Sequence, residues 1–401
     1  MQSILVQPAE GGIYTHRLND ARHTQEGYVP GTQGVGAPRK DTMDNSSGIT
    51  LIDAYGSHEQ IGQQIGEACK NQIRQMITTY RELIENSHDR LKLSWDKAVL
   101  QSRKYQPFTA EYLPQYLQEL EGMAQGAGVA LEDLMVLNSM EGIVTDALHL
   151  KCTSFGVSGE HSADGHVLLA HNEDWSPEDE ASVYLVRARP SGEPAFLALT
   201  YGGLIPNIGF NDAGIGQCCD SVYPNDSRLG IPRIFVARAV LACRTLSEAL
   251  SAAVIHKRAA GYNHLIGHAS GELYNIEVSA RQFATHYAQD GIIAHTNHYL
   301  DFRLQEIEVQ PESLLRSHVR LNRATRLLRT MAPHSPKTYA QILADHVNRP
   351  NSICCHDIDT PVAFERSKTI ASVIIDLTDG RMHVAVGSPC QSRYQQFDLE
   401  A

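Results

Sequence analysis

The hydrophobic period of this chain changes at Lys151, and that change governs what the chain can fold into. Upstream the spacing is helical. Ser57, with Gln60 three residues on, reads as a capping box. Behind it Ile61, Ile65, Ala68, Met76, Tyr80 and Leu83 keep near-helical spacing, with a polar lapse at Gln72. Further helices are predicted over 94–105, from Pro114 (Leu117, Leu120, Met123, Ala124 and Ala127 on one face, Gly126 and Gly128 at its end) and from Leu131. Downstream the spacing is that of strands. Cys152 to Ser158, the turn Ala163-Asp164-Gly165 and the return His166 to Asn172 read as a hairpin. Strands are predicted near 182–189 and 195–201, and Phe210 to Gly216 reads as strand, turn, strand. Helices follow at 232–243 and 246–256, then strands at 262–268, 272–278, 282–287 and 291–295. Helices near 312–331 and 336–345 precede a last hairpin of Thr369–Leu377 and Arg381–Gly387.

Hairpin connections make sheets mainly antiparallel. Two such sheets packed face to face, with helices outside, would bury both: an α+β fold arranged as an αββα sandwich. Residues 1–47 show no sustained period, and Gly31 to Pro38 is loop-like, so a loose tail is expected, with Met43 a possible start.

Composition narrows the function classes. The 46 acidic residues against 34 basic ones give a net charge of −12, which argues against a nucleic-acid or anionic-membrane binder. No apolar run approaches the roughly 20 residues of a membrane span. The N-terminus carries Glu10, Asp20 and Glu26 without an apolar stretch, and the eight cysteines are irregularly spaced, so a reducing cytoplasm is expected. There is no C-x-x-C. Adjacent strand side chains point to opposite faces, so Cys354-Cys355-His356 is not expected to bind a metal, and neither are His264 and His268. No Gly-rich phosphate loop with a following lysine is present, and no cofactor is expected.

The seam itself carries the chemistry. A strand opens with the Cys152 thiol, and Asn172-Glu173-Asp174-Trp175 ends its hairpin partner, so thiol, amide and carboxylates converge. On spacing alone the simpler reading is a buried cysteine beside a solvated acidic loop.

Cys152-Thr153-Ser154-Phe155 and Asp164-Gly165 with Asn172-x-Asp174-Trp175 resemble the isopenicillin N acyltransferase family of cysteine N-terminal nucleophile (Ntn) hydrolases. The resemblance extends from about residue 48 to 398. It takes in Gly56-Ser57, Gly62, Gly66 and Leu120 to Gly128 upstream. Downstream it takes in Phe210 to Gly214, His295 to Tyr299, Ser352 to Cys354, Thr369 to Ile374 and Gly387 to Cys390. What it implies is a precursor that cleaves itself between Lys151 and Cys152. Residues 48–151 would be a helical pro-region and 152–401 the catalytic region, the two remaining associated. The freed α-amine, with an ordinary pKa of about 7.7–8.0, would serve as base for the thiol. An acyl-enzyme would form on sulfur and be stabilised by an oxyanion hole. By similarity Asn297 would donate there, Asp174 would hold the new ammonium or the substrate, and Arg366 would depress the thiol pKa.

Lys151 stands where the family often has glycine, Glu173 where an aromatic is common, and Glu365 where the penicillin-forming members carry a small hydroxyl residue. These departures imply a substrate other than a penicillin nucleus. Glu277, Asn172, Trp175 and Glu365 are candidate substrate-binding residues. The expected activity is an amidase acting on a small N-acyl amide, with acyl transfer from an acyl-CoA as the close alternative. Two rivals stay open: a papain-like enzyme pairing Cys152 with His295 or His298 and Asn297, and a non-enzymatic binding protein that never matures.

Overall fold

Ser57 caps the first helix as its spacing predicts, accepting from the Gln60 N–H while Gln60 Oε1 accepts from the Ser57 N–H at 2.9 Å. The computed structural model describes residues 48–87, 91–144, 151–309, 314–357 and 366–400. The expected tail over 1–47 and Glu365 lie outside the described residues. The helices are α1 (His58–Ala68), α2 (Lys70–Asn86), α3 (Trp95–Ser102), α4 (Gln106–Tyr112), α5 (Pro114–Ala127) and α6 (Leu131–Asn138) before the seam. After it come α7 (Arg233–Val240), α8 (Leu246–Ala253), α9 (Phe302–Gln305), α10 (Leu314–Thr330) and α11 (Pro336–Leu343). The predicted helix over 94–105 is α3, which ends at Ser102; α4 beyond it is not among the predicted helices, and Pro107 lies in its first turn, where a missing N–H costs nothing.

The strands form two sheets. One holds β1 (Leu51–Gly56), β4 (Val183–Pro190), β5 (Phe196–Tyr201), β6 (Ile208–Asn211), β7 (Ile215–Asp220), β8 (Tyr262–His268), β9 (Leu273–Val278) and β10 (Phe283–Tyr287), in that order. The other runs β11 (Ile292–His295), β2 (Lys151–Val157), β3 (Leu168–Trp175), β12 (Lys368–Asp376), β13 (Arg381–Val386), β14 (Gln395–Asp398). Every described pairing between these strands is antiparallel except β1 with β4. The sheets stack through small residues: a Cβ on Gly216 or Gly267 would meet the side chains of Leu169 and Leu377 of the opposite sheet at 2.5–3.1 Å. Both faces of β2 and β3 are buried along their whole length, as for central strands of a sandwich flanked by helices.

The segment before the seam is built into this sandwich. β1 adds to the sheet edge, and α1 packs on α5 by backbone contact through reciprocal glycines. A Cβ on Gly62 would lie 1.8 Å from Glu119 O, and one on Gly122 would lie 2.0 Å from Glu59 O. Beneath them Arg238 of α7, fully buried, donates to both oxygens of Glu119 at 3.2 and 3.0 Å. Its guanidinium also lies against the rings of Tyr116 and Phe196. His58 Nδ1 lies 2.9 Å from Glu119 and Nε2 3.2 Å from Glu193, so one buried charge network crosses the seam between the two parts.

Candidate active site

The β2–β3 register places Cys152 opposite Glu173, Thr153 opposite Asn172, and Lys151 opposite Asp174. Alternation then sorts the site onto two faces. Cys152, Ser154, His171 and Glu173 face the second sheet. Lys151, Thr153, Asn172 and Asp174 face the helices.

Between the sheets lies a continuous polar chain. Cys152 Sγ is 3.8 Å from Glu173 Oε2. Glu173 accepts from the Tyr201 hydroxyl at 2.7 Å and lies 2.7 Å from His171 Nε2. Ser154 Oγ lies 2.9 Å from His171 Nδ1 and donates to Asp220 at 2.9 Å. Asp220 is 3.4 Å from His295 Nδ1, and His295 Nε2 is 2.9 Å from Glu277. Burial, then the negative charges of Glu173, Asp220 and Asp174, push the Cys152 thiol well above its ordinary pKa, and Arg320 pulls it back. Burial would lower the His171 pKa, but the hydrogen bond and charge of Glu173 outweigh it and raise the imidazole. In the intact chain the thiol is therefore protonated, with a carboxylate in reach of its proton. His171, Glu173 and Cys152 could offer three ligand atoms to a metal, but the imidazole and carboxylate already satisfy one another.

On the helix side the seam is held by an arginine. β11 pairs with β2 with His295 opposite Ser154, so two residues further on Asn297 comes level with Cys152. Asn297 Oδ1 accepts from the Cys152 N–H at 2.8 Å, and its amide donates to Ser221 O at 3.0 Å. Arg320 of α10, buried, donates to the Cys152 carbonyl, to Thr153 Oγ1 at 2.9 Å and to Asn297 Oδ1 at 2.7 Å. Asp174, fully buried, accepts from Thr369 Oγ1 at 2.6 Å, and its Oδ2 has no partner. Burial lifts its pKa to about 6 against the pull of Arg320, Thr369 and Lys151.

The structure brings Cys152, Asp174, Asn297 and Lys151 together. In this geometry Asn297 turns an acceptor to Cys152, not the donor that the resemblance implies. Arg366 is elsewhere: its guanidinium lies at the surface against Glu178 and Asp357, and it is Arg320 that binds the Cys152 backbone. Glu277 is not presented to a pocket. Its oxygens are held by His286, His295 and the N–H groups of Leu300 and Asp301, which outweigh burial and keep its pKa well below the usual carboxylate range. Asn172 is equally engaged, donating to Leu343 O and Ile353 O and accepting from Ser372. Trp175 does line a narrow, mainly apolar cavity, together with Met140, Leu204, Val222, Ile234 and Arg233. Arg233 is buried there; burial works against its charge, and the negative charge of Glu141 outweighs it. Neither His295 nor His298 pairs with the thiol: His295 binds Glu277, and His298 Nδ1 lies 2.7 Å from Ser317 Oγ.

Sequence reasoning missed Arg320, His171 and Tyr201. His171 carried a signal, since a strand alternates and 171 shares the face of 173. Arg320 carried none, because nothing in a helical register marks which basic residue turns inward.

The family model described as AAT, acyl-coenzyme A:6-aminopenicillanic acid acyl-transferase, matches residues 161–391. The chain is 24% identical over 345 residues to the acyl-coenzyme A:6-aminopenicillanic-acid-acyltransferase 40 kDa form of Emericella nidulans, spanning 84% of this chain and 92% of that one. It is 26% identical over 230 residues to the beta-alanyl-dopamine/carcinine hydrolase of Drosophila melanogaster, spanning 50% and 56%. Among solved structures it is similar to a Caenorhabditis elegans N-acylethanolamine-hydrolyzing acid amidase ortholog (TM-score 0.42, 15% identity, 57% of this chain and 93% of that one). It is also similar to a penicillin V acylase from Agrobacterium tumefaciens (TM-score 0.42, 18% identity, 62% and 86%).

Proposed function

Because this chain belongs to the acyl-coenzyme A:6-aminopenicillanic acid acyl-transferase family, we propose that it is a self-processing cysteine Ntn enzyme that hydrolyses a small N-acyl amide. The observation that carries this reading is the grip on the seam. The Cys152 N–H is held by Asn297 and the Cys152 carbonyl by Arg320, while the thiol is turned to Glu173. A backbone fixed on both sides of the nucleophile suits an attack on the peptide bond just before it.

In the first reaction Cys152 Sγ attacks the Lys151 carbonyl carbon. The thiol proton passes to the Cys152 nitrogen as the C–N bond breaks, leaving a thioester. Water hydrolyses that thioester to a Lys151 carboxylate, a free thiol and a free α-amine. Asn297 Oδ1, already an acceptor for that nitrogen, then orients the amine so that its lone pair can take the thiol proton. In each later turnover the sulfur attacks the substrate carbonyl, the ammonium returns its proton to the departing amine, and water releases the acid. The apolar cavity at Trp175 suits the acyl group. Edge strand β1 and the buried Arg238–Glu119 pair support the two pieces staying together after the cut. The same reading places the enzyme in a reducing cytoplasm, where its eight cysteines stay thiols.

A second reading, acyl transfer from an acyl-CoA, is favoured by the name of the Emericella nidulans relative. It differs only in whether an amine or water attacks the acyl-enzyme. Intact mass of the purified protein tests the main reading. The expected result is two chains, the larger starting at Cys152, with Cys152→Ala giving one uncut and inactive chain. An uncut chain with full amidase activity would overturn self-processing. Acyl-enzyme breakdown that accelerates with added amine would favour transfer over hydrolysis.

A further inference from the structure

His346, Cys354, His356 and Cys390 converge from two pieces of chain: the loop that follows α11 and the turn after β13. Their Nε2 and Sγ atoms all lie within 4.8 Å of one another. His346 Nε2 is 2.9 Å from His356 Nε2, Cys354 Sγ is 3.5 Å from that same nitrogen, and Cys390 Sγ is 3.3 Å from it. The two imidazoles meet at their nitrogen tips, with ring centroids 5.0 Å apart, rather than by stacking. A tetrahedral zinc ion with bonds of about 2.3 Å to sulfur and about 2.0–2.1 Å to nitrogen sets ligand atoms roughly 3.3–3.8 Å apart. The three distances to His356 Nε2 lie within about half an ångström of that geometry, and the remaining ligand pairs lie within 4.8 Å of one another.

We propose that His346, Cys354, His356 and Cys390 form a structural zinc site. Two thiolates cancel the charge of the ion, and a set of two sulfurs and two imidazoles selects zinc over calcium or magnesium. The loop is preorganised: the Cys354 N–H donates to Asp345 O at 3.0 Å, Ser352 Oγ donates to Cys354 O at 2.7 Å, and Arg323 grips Asp345 at 3.0 and 2.7 Å. His346 and Cys390 are exposed, which gives the ion an entry path. Adjacent cysteines do point apart, as the sequence implies: Cys355 turns away and packs its sulfur on Ser367. The missing ligands come instead from His346 and Cys390.

The site also has a position. The Cys355 N–H donates to Thr369 Oγ1 at 3.0 Å, and Thr369 Oγ1 donates to Asp174, the carboxylate level with Lys151. Zinc would thus clasp the loop that supports Asp174, on the far side of the Thr369 hydroxyl from the seam.

The full chain, purified under reductant, stripped with chelator and reloaded with zinc, should hold one zinc by elemental analysis. Cobalt in its place should give tetrahedral visible bands and a thiolate-to-cobalt charge-transfer band. Cys354→Ser or Cys390→Ser should each remove about half of that band, and His346→Ala should weaken zinc at least about tenfold. Cys243→Ser should leave the band unchanged. Because His346 and Cys390 are at the surface, their variants should fold, and zinc should raise the Tm of the parent but not of His346→Ala. Absence of stoichiometric zinc, a charge-transfer band that survives the double cysteine substitution, or a Cys354–Cys390 disulfide in the reduced preparation would each overturn the site.

Discussion

The N–H of Cys152 lies 2.8 Å from Oδ1 of Asn297, level with it across the β2–β11 pair. That contact turns the acceptor end of the amide toward the future N-terminus. Asn297→Asp keeps the acceptor, and its added charge faces Arg320 at 2.7 Å. Asn297→Leu removes the acceptor. The expected outcome is near-normal maturation for Asn297→Asp and a loss of about 100-fold or more for Asn297→Leu, timed by the appearance of the Cys152 chain on gels. Equal loss in both variants would show that the amide's donation to Ser221 O matters as much as the acceptor turned to Cys152.

Two arginines separate the geometry from the resemblance. Arg320 is buried on three acceptors of the seam, and Arg366 lies in a surface pair with Glu178 and Asp357. Arg320→Ala leaves buried acceptors unpaired and should cost about 2–4 kcal/mol, read as a lower urea midpoint. Arg320→Lys cannot make the same fork and should fall between. Arg320 is also the cation that pulls the Cys152 pKa down, so a residual pH–rate profile should move to higher pH. Arg366→Ala should change stability by less than about 0.5 kcal/mol and leave the profile in place. A profile that moves with Arg366→Ala would restore Arg366 to the site.

Much of this was legible before any coordinates. The period change at Lys151, the β2–β3 hairpin and the antiparallel pairing follow from spacing between near neighbours, and so does the meeting of Cys152 with Glu173. Long-range placement is where legibility stops. Glu277 looks like a free strand-end carboxylate until two histidines and two loop N–H groups close on it. Arg320 sits in α10 among other basic residues, and the helix's rotation against β2, a property of packing, decides that it turns inward. The same holds for Cys390, which lies 34 residues beyond His356 and reaches it only because β12 and β13 bring the chain back beside that loop.

Two buried histidines set an alkaline limit to stability. Burial lowers His58 and His295, but their carboxylate partners outweigh it and raise both to about 9. The unfolded value is about 6.5, so between these limits the native state binds more protons than the unfolded one. Stability from each is complete below about pH 6.5 and is lost as pH rises through 9, by at most about 3 kcal/mol apiece. Urea midpoints of the uncut Cys152→Ala chain should therefore fall between pH 6.5 and 9.5. His58→Gln in that background should flatten the fall, and an unchanged slope would remove His58 from the account.

The α1–α5 contact makes the sharpest stability prediction. Gly62 and Gly122 face each other's backbones so closely that any Cβ meets a carbonyl oxygen, at 1.8 and 2.0 Å. Backbone cannot swing aside as a flexible side chain can, so the helices must separate. Separation would loosen Glu119 from Arg238 and His58. Gly62→Ala gains helix propensity of about 1 kcal/mol, which overpacking should outweigh. The net cost should be roughly 3 kcal/mol, near the top of the range for overpacked cores. Gln63→Ala, one residue on and exposed, should stay within about 0.5 kcal/mol. Because Gly62 and Gly122 share one interface, the double substitution should cost less than the sum of the two. Urea midpoints at unchanged m, again in the Cys152→Ala background, measure all three. A Gly62→Ala chain as stable as its parent would mean that the helices pack further apart than the geometry described.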